Sequence, residues 1–197
     1  AYKPENKSIV SGQVLQCPYD FQKARLVVRE MADALALDLV DKGLVTNQLV
    51  LTVGYDRENL DDPSRAARYK GPITVDRYGR KIPKHAVGTE NFSYTSSAND
   101  LLKAVTALYD RIVDKNLLIR RLSISANRLL DETSVSKEEP AEQLDLFTDY
   151  TTKEKQEQAD KAAHTRERKL QEAMLGIKKK YGKNAILKGM NLEDGAT

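Results

Sequence analysis

The chain has no tryptophan and only one cysteine, Cys17, in 197 residues. A single cysteine excludes an internal disulfide and fits a reducing compartment, so a cytoplasmic setting is expected. Cys17 itself is expected to be a small buried side chain rather than a reactive thiolate. The two histidines, His85 and His164, are isolated and offer no zinc cluster. No apolar run approaches the roughly 20 residues that span a bilayer, and no signal peptide is present, so no membrane partner is expected. Glycine is sparse and forms no phosphate-cradling loop. Asp61-Asp62 and the scattered carboxylates make no pair at the ends of expected strands, where two-metal phosphoryl transfer needs them. This stretch is therefore expected to carry no catalytic residue, no metal and no cofactor. It begins at Ala1 rather than at a methionine, which reads as a start inside a longer protein.

What is present is charge, unevenly distributed. Lysine and arginine exceed aspartate and glutamate by only three overall. Between Arg65 and Lys84, however, seven basic residues (Arg65, Arg68, Lys70, Arg77, Arg80, Lys81, Lys84) face Asp76 alone. From Thr133 onward, twelve basic residues balance twelve acidic ones. The surplus belongs to one loop of the first domain, the pattern of a local basic patch.

Hydrophobic periodicity divides the chain. Residues 1–6 read as a tether, and Lys7 to Leu15 as a strand built on Ile9, Val10, Val14 and Leu15. Pro18-Tyr19-Asp20 opens a helix capped by Asp20, with Ala24, Val28, Met31, Leu35 and Leu39 on one face and Gly43 as its stop. Gln48 to Tyr55 alternates as a strand. Arg57 to Pro83 reads as a long loop or ragged hairpin extension. Lys84 to Tyr94 is a third strand. Ser97 or Asn99 caps a second helix bearing Leu101, Val105, Leu108 and Ile112. Leu117 to Leu130 is the last strand, with Leu122, Ile124 and Ala126 facing one way and Arg121, Ser123, Ser125 and Asn127 the other. The order β-α-β-β-α-β gives an α+β domain over residues 7–131, a four-stranded antiparallel sheet with two helices on one face. Its other face is left bare and polar. Residues 132–150 read as a linker. Residues 151–197 read as a helical tail, with a largely solvated helix from Thr151 to about Gly176 and a narrow stripe of Leu170, Met174, Ile177 and Tyr181.

Two constellations suggest binding. Ser8, Ser11, Gln13, Ser123, Ser125 and Asn127 are small or amide side chains on strands expected to be adjacent, where a nucleic-acid backbone could come close. The basic loop could reach phosphates, with non-specific, salt-dependent affinity. Ordinary solvent-facing positions are the competing explanation of both. In the linker, Gln143-Leu144-Asp145-Leu146-Phe147 is an apolar hook among acids, preceded by the helix-discouraging Pro140. A Leu-Phe pair with no core of its own suits a partner's pocket, filled by Leu146 and Phe147 while Gln143 contacts its edge.

The hook resembles the motif by which bacterial polymerases and repair proteins bind the sliding clamp. Lys7-Ser8-Ile9-Val10-Ser11-Gly12 resembles the opening strand of the little finger domain of Y-family, lesion-bypass DNA polymerases, and Tyr2-Lys3-Pro4 the tether leaving the thumb. Arg120-Arg121-Leu122-Ser123-Ile124-Ser125-Ala126 resembles the closing strand, with Ser123 where glycine is usual. Ile177 to Asn184 resembles the C-terminal tail of the UmuC-like ImpB/MucB/SamB branch. The 57–83 insertion is longer than in many relatives. The resemblance implies palm, fingers and thumb upstream, and a magnesium-dependent parent enzyme that copies damaged DNA, error-prone, in the bacterial SOS response. It implies that this part grips the backbone of primer–template DNA through Lys7, Ser8, Ser11, Gln13, Arg80, Lys81, Lys84, Arg121, Ser123 and Ser125. Gln143, Leu144, Leu146 and Phe147 would bind the clamp. The competing class is a ferredoxin-like protein-interaction adaptor without DNA affinity.

Overall fold

The computed structural model describes residues 7–135, 150–182, 184–193 and 195–196. In chain order the elements are β1 (Ile9–Tyr19), α1 (Phe21–Lys42), β2 (Leu44–Tyr55), α2 (Glu58–Asp61), α3 (Pro63–Arg68), β3 (Ile73–Val75), β4 (Lys81–Pro83), β5 (Ala86–Thr95), α4 (Ala98–Ile112), β6 (Ile119–Asn127), β7 (Leu130–Asp131), α5 (Glu132–Val135), α6 (Tyr150–Tyr181) and a 3-10 turn (Gly189–Leu192).

Helix α1 starts and stops on local chemistry. The Asp20 carboxylate accepts the Lys23 amide hydrogen at 2.9 Å, satisfying a donor that has no partner inside the helix. At the far end Gly43 takes φ 63°, a left-handed conformation that a Cβ would strain, and its amide closes onto the carbonyls of Leu39 and Val40. Helix α4 starts on the Ser97 hydroxyl, which accepts from the Asp100 amide.

The main sheet runs β1-β6-β2-β5, antiparallel throughout, with β7 added beside the start of β2. Alternate residues of each strand point to one side, where Leu15, Leu49, Leu51, Val53, Leu122, Ile124 and Ala126 pack with α1 and α4 in one buried core. β5 comes so close to α4 that a Cβ on Gly88 would lie 2.8 Å from Leu108 Cδ1 and Ile112 Cγ2. The buried Tyr109 hydroxyl donates to the Phe21 carbonyl at 2.9 Å, pinning α4 to the start of α1. Burial pushes the Tyr109 phenol well above the usual tyrosine range. Two parallel hydrogen bonds from Arg25 to Asp110, 2.8 and 2.9 Å, join the same helices at the surface.

The α1 helix is buried on a second side as well. Leu26, Glu30, Asp33 and Leu37 recur at helical spacing and are all buried, yet Leu26 and Leu37 lie outside the main core. The C-terminal residues close over this side. Lys188 Nζ donates to Asp33, Asn191 Nδ2 donates to Glu30, and Lys179 of α6 pairs with Asp41. Helix α6 therefore packs on its own domain. Its seam differs from the expected stripe: Met174 is buried, but Leu170 and Tyr181 stand out in solvent, and the inward positions are Arg168 and Gln171. Polar partners explain the shift. Gln171 Nε2 donates to the Ser96 carbonyl at 3.1 Å, Arg168 pairs with Glu132 at 2.9 Å, and Glu167 accepts from the Ser97 hydroxyl and the Asn99 amide. Gly176 does not end α6, which continues to Tyr181.

Other expectations need correction. β1 runs on to Tyr19, through Pro18, because a register shift after Val14 and an outer-edge position spare the amide that proline lacks. Cys17 is exposed rather than buried. The 57–83 insertion is built, not ragged. Asp62 caps α3 with Pro63 at its first turn, and β3 pairs with β4 as a separate hairpin. Asn59, fully buried, fastens the insertion to the sheet end. Its Nδ2 donates to the carbonyls of Asp56 and Leu118, and its Oδ1 accepts from the Leu118 amide, all at 2.8 Å.

Candidate nucleic-acid interface

The sheet's second side is open. Val10, Val14 and Val87 are 64, 66 and 61 % exposed, on strands whose alternate residues form the core. Register aligns its side chains in rows: Val10 with Ser125, Val50 and Thr89; Gly12 with Ser123, Thr52 and Val87; Val14 with Arg121 and Gly54. At one end an amide ladder crosses three strands. Gln48 Nε2 donates to Asn91 Oδ1 at 2.8 Å, Asn127 Nδ2 to Gln48 Oε1 at 3.3 Å, and Ser125 Oγ to Asn127 Oδ1 at 2.7 Å. None of these paired positions is acidic, whereas Glu90, the acid of β5, pairs opposite Leu49 on the core side and is held by Arg111 at 2.6 Å.

Register divides the polar residues that the sequence grouped together. Ser123, Ser125, Asn127 and Arg121 share the open side. Ser11 and Gln13 do not: they pair with Ile124 and Leu122 and so lie on the helix side of edge strand β1. A period of two cannot keep Ser8 and Ser11, three residues apart, on one face. Ser11 is nevertheless exposed at the edge, its carbonyl accepting from Ser123 Oγ at 3.3 Å. Lys7 and Ser8 are exposed just before β1.

At the other end of the sheet a β-bulge changes the pattern. Gly54 pairs with Arg121 but Tyr55 pairs with Ile119, leaving Arg120 as an extra residue. Arg120 and Arg121 thus both line a cleft of about 530 Å³, with Arg57, Arg80, His85, Asp56, Glu58, Asp61 and Asp76. His85 lies so near Gly54 that a Cβ there would sit 3.0 Å from its Nδ1.

The basic patch is weaker than its count suggests, because acids take up part of it. Asp76 holds Arg80 at 2.7 Å, Asp56 lies 3.8 Å from Arg120, Asp61 lies 3.5 Å from Arg57, and Asp62 lies 3.9 Å from Arg65. Hydrogen bonding to Arg80 holds the Asp76 carboxyl below the usual carboxylate range. Among the described residues, Arg121, Lys81 and Lys84 have no carboxylate partner, and all three are exposed. Sequence reading missed the Arg120 bulge and the Arg77–Tyr78–Arg80 cluster at the hairpin tip, where the two guanidinium carbons lie 4.7 and 4.9 Å from the Tyr78 ring centre. The second was legible in principle, as an aromatic between two arginines before a turn glycine. Gln143, Leu144, Leu146 and Phe147 lie outside the described residues.

Among the described residues no three of His, Cys, Asp or Glu converge as metal ligands, and no helix is long and apolar enough to cross a membrane. The family model described as the impB/mucB/samB family C-terminal domain matches residues 6–146. No curated protein matches the chain. Of solved structures, one described as a complex of the beta-clamp processivity factor and the little finger domain of PolIV matches at 10 % identity, covering 72 % of this chain and 100 % of that one, with a TM-score of 0.37. At so loose a superposition, the assignment rests on the family match.

Proposed function

The chain belongs to the impB/mucB/samB family, whose C-terminal domain is the little finger of Y-family DNA polymerases, and from that premise we propose that its open sheet side holds the backbone of primer–template DNA during error-prone bypass of damage. The observation that carries this reading is the open side itself, where serine, threonine, asparagine and glutamine stand among valines with no carboxylate, and where the exposed Arg121 has no carboxylate partner among the described residues. Small hydroxyl and amide groups let phosphates approach and donate to them without reading bases. Lys7 and Ser8 flank the first strand, and Ser11 and Gln13 contact from its edge. Catalysis belongs to palm, fingers and thumb of the same protein, with magnesium as their metal. This domain orients the substrate for them.

Fluorescence anisotropy with a primer–template duplex over a salt series tests the proposal. Sequence-indifferent binding at about 1–100 μM, weakening steeply with salt, is expected. No binding at low salt refutes it. The exposed Val10, Val14 and Val87 favour a second reading, a protein-binding adaptor face, which predicts partner capture without DNA affinity.

Recruitment is proposed through Gln143, Leu144, Leu146 and Phe147, supported by the sequence motif. Replacing Leu146 and Phe147 with alanine is expected to abolish sliding-clamp binding and leave DNA binding intact. Unchanged clamp affinity removes the hook from the account.

A further inference from the structure

The β3–β4 hairpin ends in a tip whose construction exceeds what a connecting turn needs. Asp76 organises it. One carboxylate oxygen accepts the amide hydrogens of Tyr78 and Arg80 at 2.8 and 3.0 Å, and the other accepts from Arg80 Nε at 2.8 Å. Gly79 takes φ 78°, which permits the reversal. The result holds Tyr78 out into solvent, 65 % exposed, with Arg77 and Arg80 against its ring. Ile73 and Val75, on the strand leading to the tip, are 54 and 59 % exposed, while Ile82 of the facing strand is buried. Lys81 and Lys84 follow within a few residues.

Aromatic rings between cations, beside apolar side chains, are the chemistry of a stacking platform for unpaired bases. We propose that this hairpin tip takes a nucleobase of single-stranded DNA, stacked on Tyr78. The two arginines divide the work. Arg80 is fixed by Asp76 and stays against the ring. Arg77 has no carboxylate partner among the described residues; it donates to the Tyr78 hydroxyl and lies over the ring. An entering base displaces Arg77 from the ring, and the freed guanidinium meets the adjoining phosphate. The tip's base lines the same cleft as Arg121 and Gly54 of the open sheet side, through Asp76 and Arg80. Strand running off a duplex held on that side therefore reaches the hairpin. This proposal rests on the duplex-binding reading for its geometry, but the stacking platform can be tested apart from it.

Two probes separate the two ideas, a blunt duplex and the same duplex with a single-stranded 5′ extension, titrated against the full chain by anisotropy. The extended probe is expected to bind roughly 5- to 150-fold tighter, the range for stacking one base. Tyr78→Ala is expected to erase that preference while leaving blunt-duplex affinity and the unfolding midpoint unchanged, and Tyr78→Phe to keep it. Because the chain has no tryptophan, Tyr78→Trp supplies a single reporter. Its emission is expected to quench with the extended probe and not with the blunt one. Equal affinity for both probes, an undiminished preference in Tyr78→Ala, or equal quenching by a polyglutamate peptide overturns the proposal. A wild-type chain that binds neither duplex refutes the duplex reading instead. A single-stranded oligonucleotide alone then decides the tip, with Tyr78-dependent binding upholding it and no binding overturning it.

Discussion

On strand β6, Leu122, Ile124 and Ala126 are at most 1 % exposed, while Ser123 and Ser125, one residue along, share a side with Val10, which is 64 % exposed. The same strands thus serve two solvents. On the helix side the layers are doubled, since α1 and α4 cover the sheet and the C-terminal residues cover α1 in turn. On the other side nothing is gained by burial, and side chains there are free to be chosen for what they touch outside. Fold stability and the proposed DNA contact are therefore separated by a single step along the chain, which is what a period of two makes possible.

The sharpest way to break this comparison is Leu122→Ala, at a fully buried position. It is expected to cost about 2–5 kcal/mol in urea unfolding through lost burial and a cavity. Two glycines give the next contrast. Gly88→Ala drives a methyl to 2.8 Å from Leu108 and Ile112 and is expected to cost about 1–3 kcal/mol, whereas Gly12→Ala meets nothing closer than 3.9 Å. An equal cost for both would mean that the open side is packed.

Tyr109→Phe removes one buried hydrogen bond and is expected to cost about 1 kcal/mol at neutral pH. It also carries a pH signature. Burial raises the folded-state phenol pKa above its unfolded value, so the stabilisation is complete below about pH 10 and is lost as pH rises past it. Wild type is expected to lose stability above that point more steeply than the phenylalanine variant, measured by urea midpoints at neutral and alkaline pH. Smallest in folding terms are Ser123→Ala and Arg121→Ala, each within about 0.5 kcal/mol of wild type. For Arg121→Ala the change is expected in DNA binding, where the slope of log affinity against log salt falls by about one. A folding penalty for Ser123→Ala approaching that of Leu122→Ala would abolish the distinction.

Where information is local, sequence reading succeeded. Asp20 and Gly43 announce the ends of α1, and the alternation of β2 and β6 announces which residues enter the core. It failed where partners are distant in the chain. Nothing near Glu167, Arg168 or Gln171 indicates that Ser96, Ser97 and Glu132 will meet them, so apolar spacing alone put the seam of α6 one step off. The basic loop misled for a different, local reason. Counting residues from Arg65 to Lys84 leaves out Asp62 just before it, and counting charge misses how tightly Asp76 claims Arg80. Ser11 and Gln13 were grouped with Ser123 and Ser125 by their chemistry, whereas the parity set by Ile9 and Leu15 on the same strand puts them on the helix side. At the insertion, Asp62-Pro63 was a readable helix start, but the role of Asn59 required the carbonyl of Leu118, fifty-nine residues away.

That amide has a consequence for how the domain can diversify. Two bonds to Leu118 and one to Asp56 through one side chain tie the start of the outgrowth to the sheet's rim, while the buried Ile82 and the core-packed Tyr69 hold it further along. Residues 73–81 can be shortened, exchanged or redecorated while the strands beneath keep their shape. A change at Asn59 frees the root of the appendage, leaving Tyr69 and Ile82 to hold it.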